Sequence, residues 1–225
     1  IKGDKKRISD VEKRIHEAEQ QMRLIEESGL TDNDEIVALF ETVLSGKWLT
    51  CGAKVDKFER KFSKKFGHTS SVMVNSGSSA NLVMIAALKK YFSWNDDDEV
   101  IVSTVGFPTT IAPLIQNKLK PVFTDINMQD LNFDIHEVEN KITNNTKAIF
   151  ISPVLGNPPD MDKLVLISKK YEINLLLDNC DSLGSKWDNK ELTEFVVSST
   201  CSFYPAHHIT TGEGGMVSSN HKEII

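Results

Sequence analysis

The chain has 225 residues, 40% of them hydrophobic, with a formal net charge of −6. That is enough apolar material for a real core and no basic surplus, which argues against nucleic acid as a partner. No apolar run approaches the roughly 20 residues that a membrane-spanning helix needs.

The N-terminus is charged and has no apolar segment behind it, so no signal peptide is expected. Cys51, Cys180 and Cys201 are scattered without metal-ligand spacing. An odd, sparse set of thiols fits the reducing cytoplasm better than a disulfide framework. The chain does not begin with Met, and a new helix is expected to begin at His221 just before it stops at Ile225. It is therefore read as a fragment.

In chain order, residues 4–27 read first as one charged helix. Ile8, Val11, Ile15, Ala18, Met22 and Ile25 follow the 3-4 spacing of a heptad seam, and Gly29 supplies a stop. Such a helix can lie on its own domain or self-associate. The expected division is residues 1–30 for this helix and 31–225 for one large domain. Beyond it, helices are expected at 33–45, 54–66, 78–92, 109–117, 134–142 and 161–171. Strands are expected at 71–74, 99–103, 121–124, 147–151, 174–178, 200–204 and 215–218. Short β-rich runs between helices of this length predict βα units around a mostly parallel, covered sheet. The acidic run Asp96–Glu99 reads as a solvated turn before a strand.

Ligands of open α/β sheets bind beyond the carboxyl ends of the strands, and the chemically interesting residues fall there. Asn75-Ser76-Gly77-Ser78-Ser79-Ala80-Asn81 follows the first strand and enters a helix. Glycine allows close backbone approach, hydroxyls donate, and a helix N-terminus favours an anion. The same residues also make an ordinary helix cap. Phe107 follows the second strand, where it can stack on a flat ring or simply fill the core. Asp178 ends an apolar strand, where an acid needs a partner. A protonated pyridine nitrogen and the N–H groups of the next turn are both candidates. Ser202 and the pair His207-His208 follow the sixth strand. A pair of histidines by itself is as readily a surface feature as a site.

Several segments, taken together, resemble the DegT/DnrJ/EryC1/StrS aminotransferase family. They are Gly46-Lys47-Trp48-Leu49-Thr50-Cys51-Gly52, the Asn75–Asn81 loop, Gly106-Phe107-Pro108-Thr109-Thr110, Leu155-Gly156-Asn157-Pro158, Asp178–Ser185 and Ser202–Gly215. The family's aminotransferases carry a lysine where this chain has His207. Lysine forms a Schiff base with pyridoxal 5′-phosphate; imidazole only moves protons. The likeness therefore runs to the family's sugar 3-dehydrases, nearest to those acting on a CDP-4-keto-6-deoxyhexose in lipopolysaccharide sugar synthesis.

The resemblance implies a three-layer αβα large domain of the aspartate-aminotransferase type, with a smaller C-terminal domain to follow. Its mixed sheet would have Gly215–Ser218 as the antiparallel strand. It implies that Gly77, Ser78, Ser79 and Ser202 hold the phosphate of pyridoxamine or pyridoxal 5′-phosphate. Phe107 would stack on the ring, Asp178 pair with its nitrogen, Asp181 lie near its phenolic oxygen and His207 act as the base. It further implies a nucleotide-sugar substrate and a homodimer whose sites take residues from both subunits. In the CDP-sugar branch it implies a reductase partner and a 2Fe–2S cluster beyond Ile225; Cys51, Cys180 and Cys201 are not the cluster-binding set. The branch acting on GDP-4-keto-6-deoxymannose uses the same histidine without a cluster. A non-catalytic sugar-nucleotide-binding paralogue is the reading from outside enzymology.

Overall fold

A computed structural model of the chain describes Lys13, His16, residues 33–46 and residues 50–225. The heptad segment at 4–27, apart from Lys13 and His16, lies outside the described residues, as do Gly29 and residues 47–49. The chain divides into two units, Ile1–Gly52 and Ala53–Ile225. In the first, helix α1 (Asn33–Leu44) carries Asp34 and Glu35 in its first turn, where they favour the positive end of the helix dipole.

The second unit alternates helices and strands. Its helices are α2 (Ala53–Lys65), α3 (Gly77–Tyr91), α4 (Pro108–Gln116), α5 (Ile135–Asn140) and α6 (Met161–Tyr171). Its main strands are β1 (Ser70–Val74), β2 (Glu99–Ser103), β3 (Lys120–Thr124), β4 (Thr146–Ile151) and β5 (Asn174–Asp178). A two-stranded hairpin follows, β6 (Lys186–Trp187) with β7 (Lys190–Glu191), then β8 (Ser198–Ser202) and β9 (Gly215–Ser219). Seven strands form one sheet in the order β1-β9-β8-β5-β4-β2-β3. β2 pairs in parallel with β3 and β4, β4 with β5, and β5 with β8. β9 runs antiparallel to both β1 and β8, as expected for the segment at 215–218.

The sheet is covered on both faces, and the pleat assigns each residue to one of them. Val100, Val102, Ala148, Phe150, Leu176 and Val217 join Ala80, Met84, Ile85 and Leu88 of α3 in one core cluster. Their neighbours Ile101, Ile149, Ile151, Leu175 and Leu177 join Met161, Leu164 and Ile167 of α6 in a second. Successive strand residues thus face opposite helical layers. A third cluster gathers Phe62, Phe66, Phe203 and Met216, with Phe203 edge-on to both Phe58 and Phe62.

Three sequence expectations need correction. The strand expected at 200–204 is Ser198–Ser202, shifted toward its serines. Those hydroxyls are tolerated in the core because each finds a partner: Ser198 Oγ donates to the Ser218 carbonyl, Ser199 Oγ meets His68 Nε2, and Thr200 Oγ1 donates to Asn81. The acidic run is only half solvated. Asp98 and Glu99 are buried, with Asp98 Oδ2 accepting from the Asn95 amide and Glu99 paired with Lys120 and Thr143. The helix expected from His221 is, over these residues, a single 3₁₀ turn at Lys222–Ile224. The β6–β7 hairpin was not anticipated; its turn has Asp188 and Asn189 both at positive φ. Among the described residues, no helix is long and apolar enough to cross a membrane.

Candidate functional site

The carboxyl ends of β1, β4, β5 and β8 open onto one cavity of about 550 Å³. Its wall includes Gly77, Ser78, Phe107, Asp178, Asp181, Ser202 and His207, and among the described residues no lysine or arginine lines it. Of the residues that the resemblance assigned to the site, only Ser79 is not in the wall. Its amide donates to Ser76 Oγ at 3.1 Å and its hydroxyl accepts from the same atom at 3.1 Å, so it is engaged in the cap of α3.

The loop entering α3 is shaped by close approach. A Cβ on Gly77 would stand 2.6 Å from Ser202 Cβ and 3.1 Å from Cys180 Sγ. A Cβ on Gly215 would overlap the Ser76 carbonyl. Only glycine at these two places lets β8, β9 and the loop come together. The result sets the Ser202 hydroxyl beside the first turn of α3. There the N–H groups of Gly77 and Ser78 begin the helix, which gives a cradle of neutral donors for an anion.

Asp178 is 5% exposed. Its Oδ2 accepts from Asn81 Nδ2 at 2.8 Å and from Thr110 Oγ1 at 2.7 Å. Its Oδ1 accepts from the Cys180 amide at 3.3 Å. The turn-capping contact is present, but the stronger partners come from α3 and α4. All of these described partners are neutral, so a buried carboxylate faces the cavity with acceptor capacity to spare. Burial and the neighbouring Asp178 push the Cys180 thiol far above its ordinary range, which makes it an inert wall rather than a nucleophile.

Phe107 is 65% exposed and caps α4 from outside the helix, so the core reading of this residue is wrong. An exposed aromatic face on the wall of a cavity is available to a planar ligand.

The loop carrying the histidines is pinned at Phe203. The Phe203 amide donates to the Gly214 carbonyl, and the Phe203 carbonyl accepts from the Thr211 amide and Thr210 Oγ1. The two histidines separate there: His207 is partly buried in the cavity wall, while His208 is exposed and not part of it. His207 Nδ1 lies 3.3 Å from Asp181 Oδ1. Sequence reading missed Ser76, Thr109, Ser152, Cys180, Tyr204, Ala206 and Glu213 in the wall. It also assigned no role to Asn81 behind Asp178; of all these residues only Ser152 lay outside the quoted segments.

Residues 30–225 match the model of the DegT/DnrJ/EryC1/StrS aminotransferase family. The chain is 40% identical over 197 residues to a dTDP-4-dehydro-2,6-dideoxy-D-glucose 3-dehydratase of Saccharopolyspora spinosa, covering 86% of this chain and 42% of that protein. It is 41% identical over 186 residues to a GDP-4-keto-6-deoxy-D-mannose 3-dehydratase of Escherichia coli O55:H7, covering 82% of this chain and 48% of the other. A solved structure of the E. coli GDP-4-keto-6-deoxy-D-mannose-3-dehydratase with bound hydrated PLP superposes with a TM-score of 0.82 at 40% identity, over 87% of this chain and 51% of that one. This chain thus spans about half the length of each relative.

Proposed function

The chain belongs to the DegT/DnrJ/EryC1/StrS aminotransferase family, and from that premise we propose that it is the large-domain part of a pyridoxamine-phosphate-dependent nucleotide-sugar 3-dehydratase. The observation that carries the proposal is His207 in the cavity wall, where no lysine stands among the described lining residues. A primary amine is the handle for a covalent cofactor link, and the wall offers a proton carrier in its place.

The residues fit such a cofactor. Gly77 leaves a cradle that a Cβ would fill, and Asp178 is a buried carboxylate whose described partners are all neutral. In this reading the N–H groups of Gly77 and Ser78 and the Ser202 hydroxyl hold the phosphate, while Ser79 supports them through the cap. Phe107 offers its face to the ring. Asp178 accepts from the ring nitrogen and Asp181 lies near the phenolic oxygen. Bound there, the cofactor supplies an amine for the sugar's C4 ketone and an electron sink as the C3 hydroxyl leaves as water. With Nδ1 turned to Asp181, His207 uses Nε2 to take the proton from carbon C4′. Imidazole is the side chain most often used for such proton transfers.

Within this function, the sequence motifs favour a CDP-4-keto-6-deoxyhexose in lipopolysaccharide sugar synthesis. That branch would bring a reductase and a 2Fe–2S cluster bound outside these residues. The relative named for a GDP-sugar supports the alternative of a GDP-4-keto-6-deoxymannose 3-dehydratase. A homodimer whose second subunit completes the site belongs to the same reading. So does a cytoplasmic location, since Cys51, Cys180 and Cys201 are unpaired thiols.

The test is turnover by the full-length protein. Loaded with pyridoxamine 5′-phosphate, it is offered CDP-, GDP- and dTDP-4-keto-6-deoxyhexoses in turn, and loss of the C3 oxygen is followed by mass spectrometry. Deoxygenation of one of them is expected. Amino transfer without loss of oxygen would overturn the proposal.

A further inference from the structure

Asn81 is 1% exposed and sits one turn into α3, behind the cavity rather than in its wall. Its side chain joins three other segments. Nδ2 donates to Asp178 Oδ2 at 2.8 Å, at the end of β5, and to the Thr109 carbonyl at 3.0 Å, in α4. Oδ1 accepts from Thr200 Oγ1 at 2.6 Å, on β8. The orientation of the amide is not arbitrary. A carboxylate and a backbone carbonyl can only accept, so the NH₂ group must face them and the carbonyl oxygen must face the Thr200 hydroxyl.

The consequence falls on Asp178. One oxygen, Oδ2, receives both the Asn81 amide and the Thr110 hydroxyl, at 2.8 and 2.7 Å. The other, Oδ1, accepts from the Cys180 amide at 3.3 Å, and the neutral Cys180 thiol also lies against the carboxylate. The two oxygens are therefore inequivalent. Oδ2 is held by two neutral donors that fix the carboxylate plane, and Oδ1 retains acceptor capacity. A network in which every buried polar group is satisfied is rigid, because any rotation breaks several hydrogen bonds at once.

We infer that Asn81 and Thr110, with Thr200 behind Asn81, are positioning residues that saturate one oxygen of Asp178 and thereby aim the other at a cationic ring N–H. The inference rests on the proposed cofactor reading and goes beyond it. It assigns the selectivity for a protonated ring nitrogen to residues that never touch the ring.

The experiment compares two ligands on the full-length protein: pyridoxamine 5′-phosphate and its 1-deaza analogue, in which a C–H replaces the ring nitrogen. Dissociation constants are measured by equilibrium titration, without substrate. The wild-type protein is expected to prefer the natural ring by on the order of tenfold or more, the size of one charge-assisted hydrogen bond. Thr110→Val and Asn81→Leu should each remove most of that preference while binding the deaza analogue within about twofold of wild type. Thr110→Ser, which keeps the hydroxyl, should retain the preference.

A Thr110→Val protein that keeps the full preference overturns the inference. So does one that loses affinity for both ligands equally, since that is a merely structural effect. Should Asn81→Leu fail to fold, Thr110→Val alone decides. If the wild-type protein itself shows no preference, the pairing of Asp178 with the ring nitrogen falls, and the cofactor reading of that residue falls before the inference is reached.

Discussion

Asp181 Oδ1 lies 3.3 Å from His207 Nδ1, joining the turn after β5 to the loop after β8. The contact fixes which ring nitrogen faces the carboxylate and leaves Nε2 for proton exchange. The Asp181 side chain is 58% exposed, so solvent screens the pair. Exposed pairs of this kind contribute at most about 1 kcal/mol. Asp181→Asn is therefore expected to slow C4′ proton exchange by less than about tenfold, measured by deuterium wash-in. A loss approaching that of removing the imidazole would assign Asp181 a direct role.

Replacing the base itself should cost far more. His207→Asn is expected to lower C4′ exchange by about 10²–10⁴-fold, the usual span for a general base. His208 is exposed and outside the cavity wall, so His208→Asn should leave exchange within about twofold. The reverse pattern would move the assignment by one residue.

Covalent attachment gives a separate check. Borohydride treatment of the wild-type protein with pyridoxal 5′-phosphate should leave no cofactor bound at the site, because among the described residues no lysine lines the cavity. His207→Lys should acquire a borohydride-trapped adduct, seen as a mass increase on the peptide carrying residue 207, and lose dehydration. An adduct on a wild-type active-site lysine would sink the histidine-base reading.

Gly77 offers a test of the anion cradle. A methyl group there would meet Ser202 Cβ at 2.6 Å, so Gly77→Ala must push β8 and the α3 loop apart. Overpacking of this kind costs about 1–3 kcal/mol. The expected result is a lower unfolding midpoint and weakened binding of pyridoxamine 5′-phosphate, with binding of the phosphate-free amine nearly unchanged. Equal loss of both ligands would separate Gly77 from phosphate binding.

His68 ties stability to pH. Burial lowers its pKa from 6.5 to about 4 in the folded chain. The unfolded chain therefore binds a proton that the folded chain refuses between those values. Stability is full above about pH 6.5 and falls as pH drops toward 4, by up to about 3 kcal/mol. Urea unfolding of the wild type and His68→Gln at pH 7 and pH 4.5 measures it. The variant should show a shallower loss; identical slopes would assign the pH dependence to other groups.

The amino-acid sequence by itself determined the alternation of helices and strands and the strand-end placement of the residues able to do chemistry. Apolar runs such as Leu175–Leu177 and the capped α3 and α6 are local signals, carried by residues within one or two turns of each other. The resemblance of the Ser202–Gly215 segment to its family added His207 in the place of a lysine, which needs no coordinates to be read. The strand at Ser198–Ser202 was displaced in that reading because five residues with no large apolar side chain look like a loop. They become a buried strand only when His68, Asn81 and Ser218 arrive to satisfy them.

Only the tertiary structure decided the rest. It exposed Phe107 and put His207 rather than His208 in the cavity wall. It engaged Ser79 in a cap and left one oxygen of Asp178 with acceptor capacity. The hydrogen bonds that settle Asp178 and Asn81 join residues 68, 97 and 119 positions apart. No local pattern encodes such partners; they meet because the sheet order brings the ends of β5 and β8 beneath the first turns of α3 and α4.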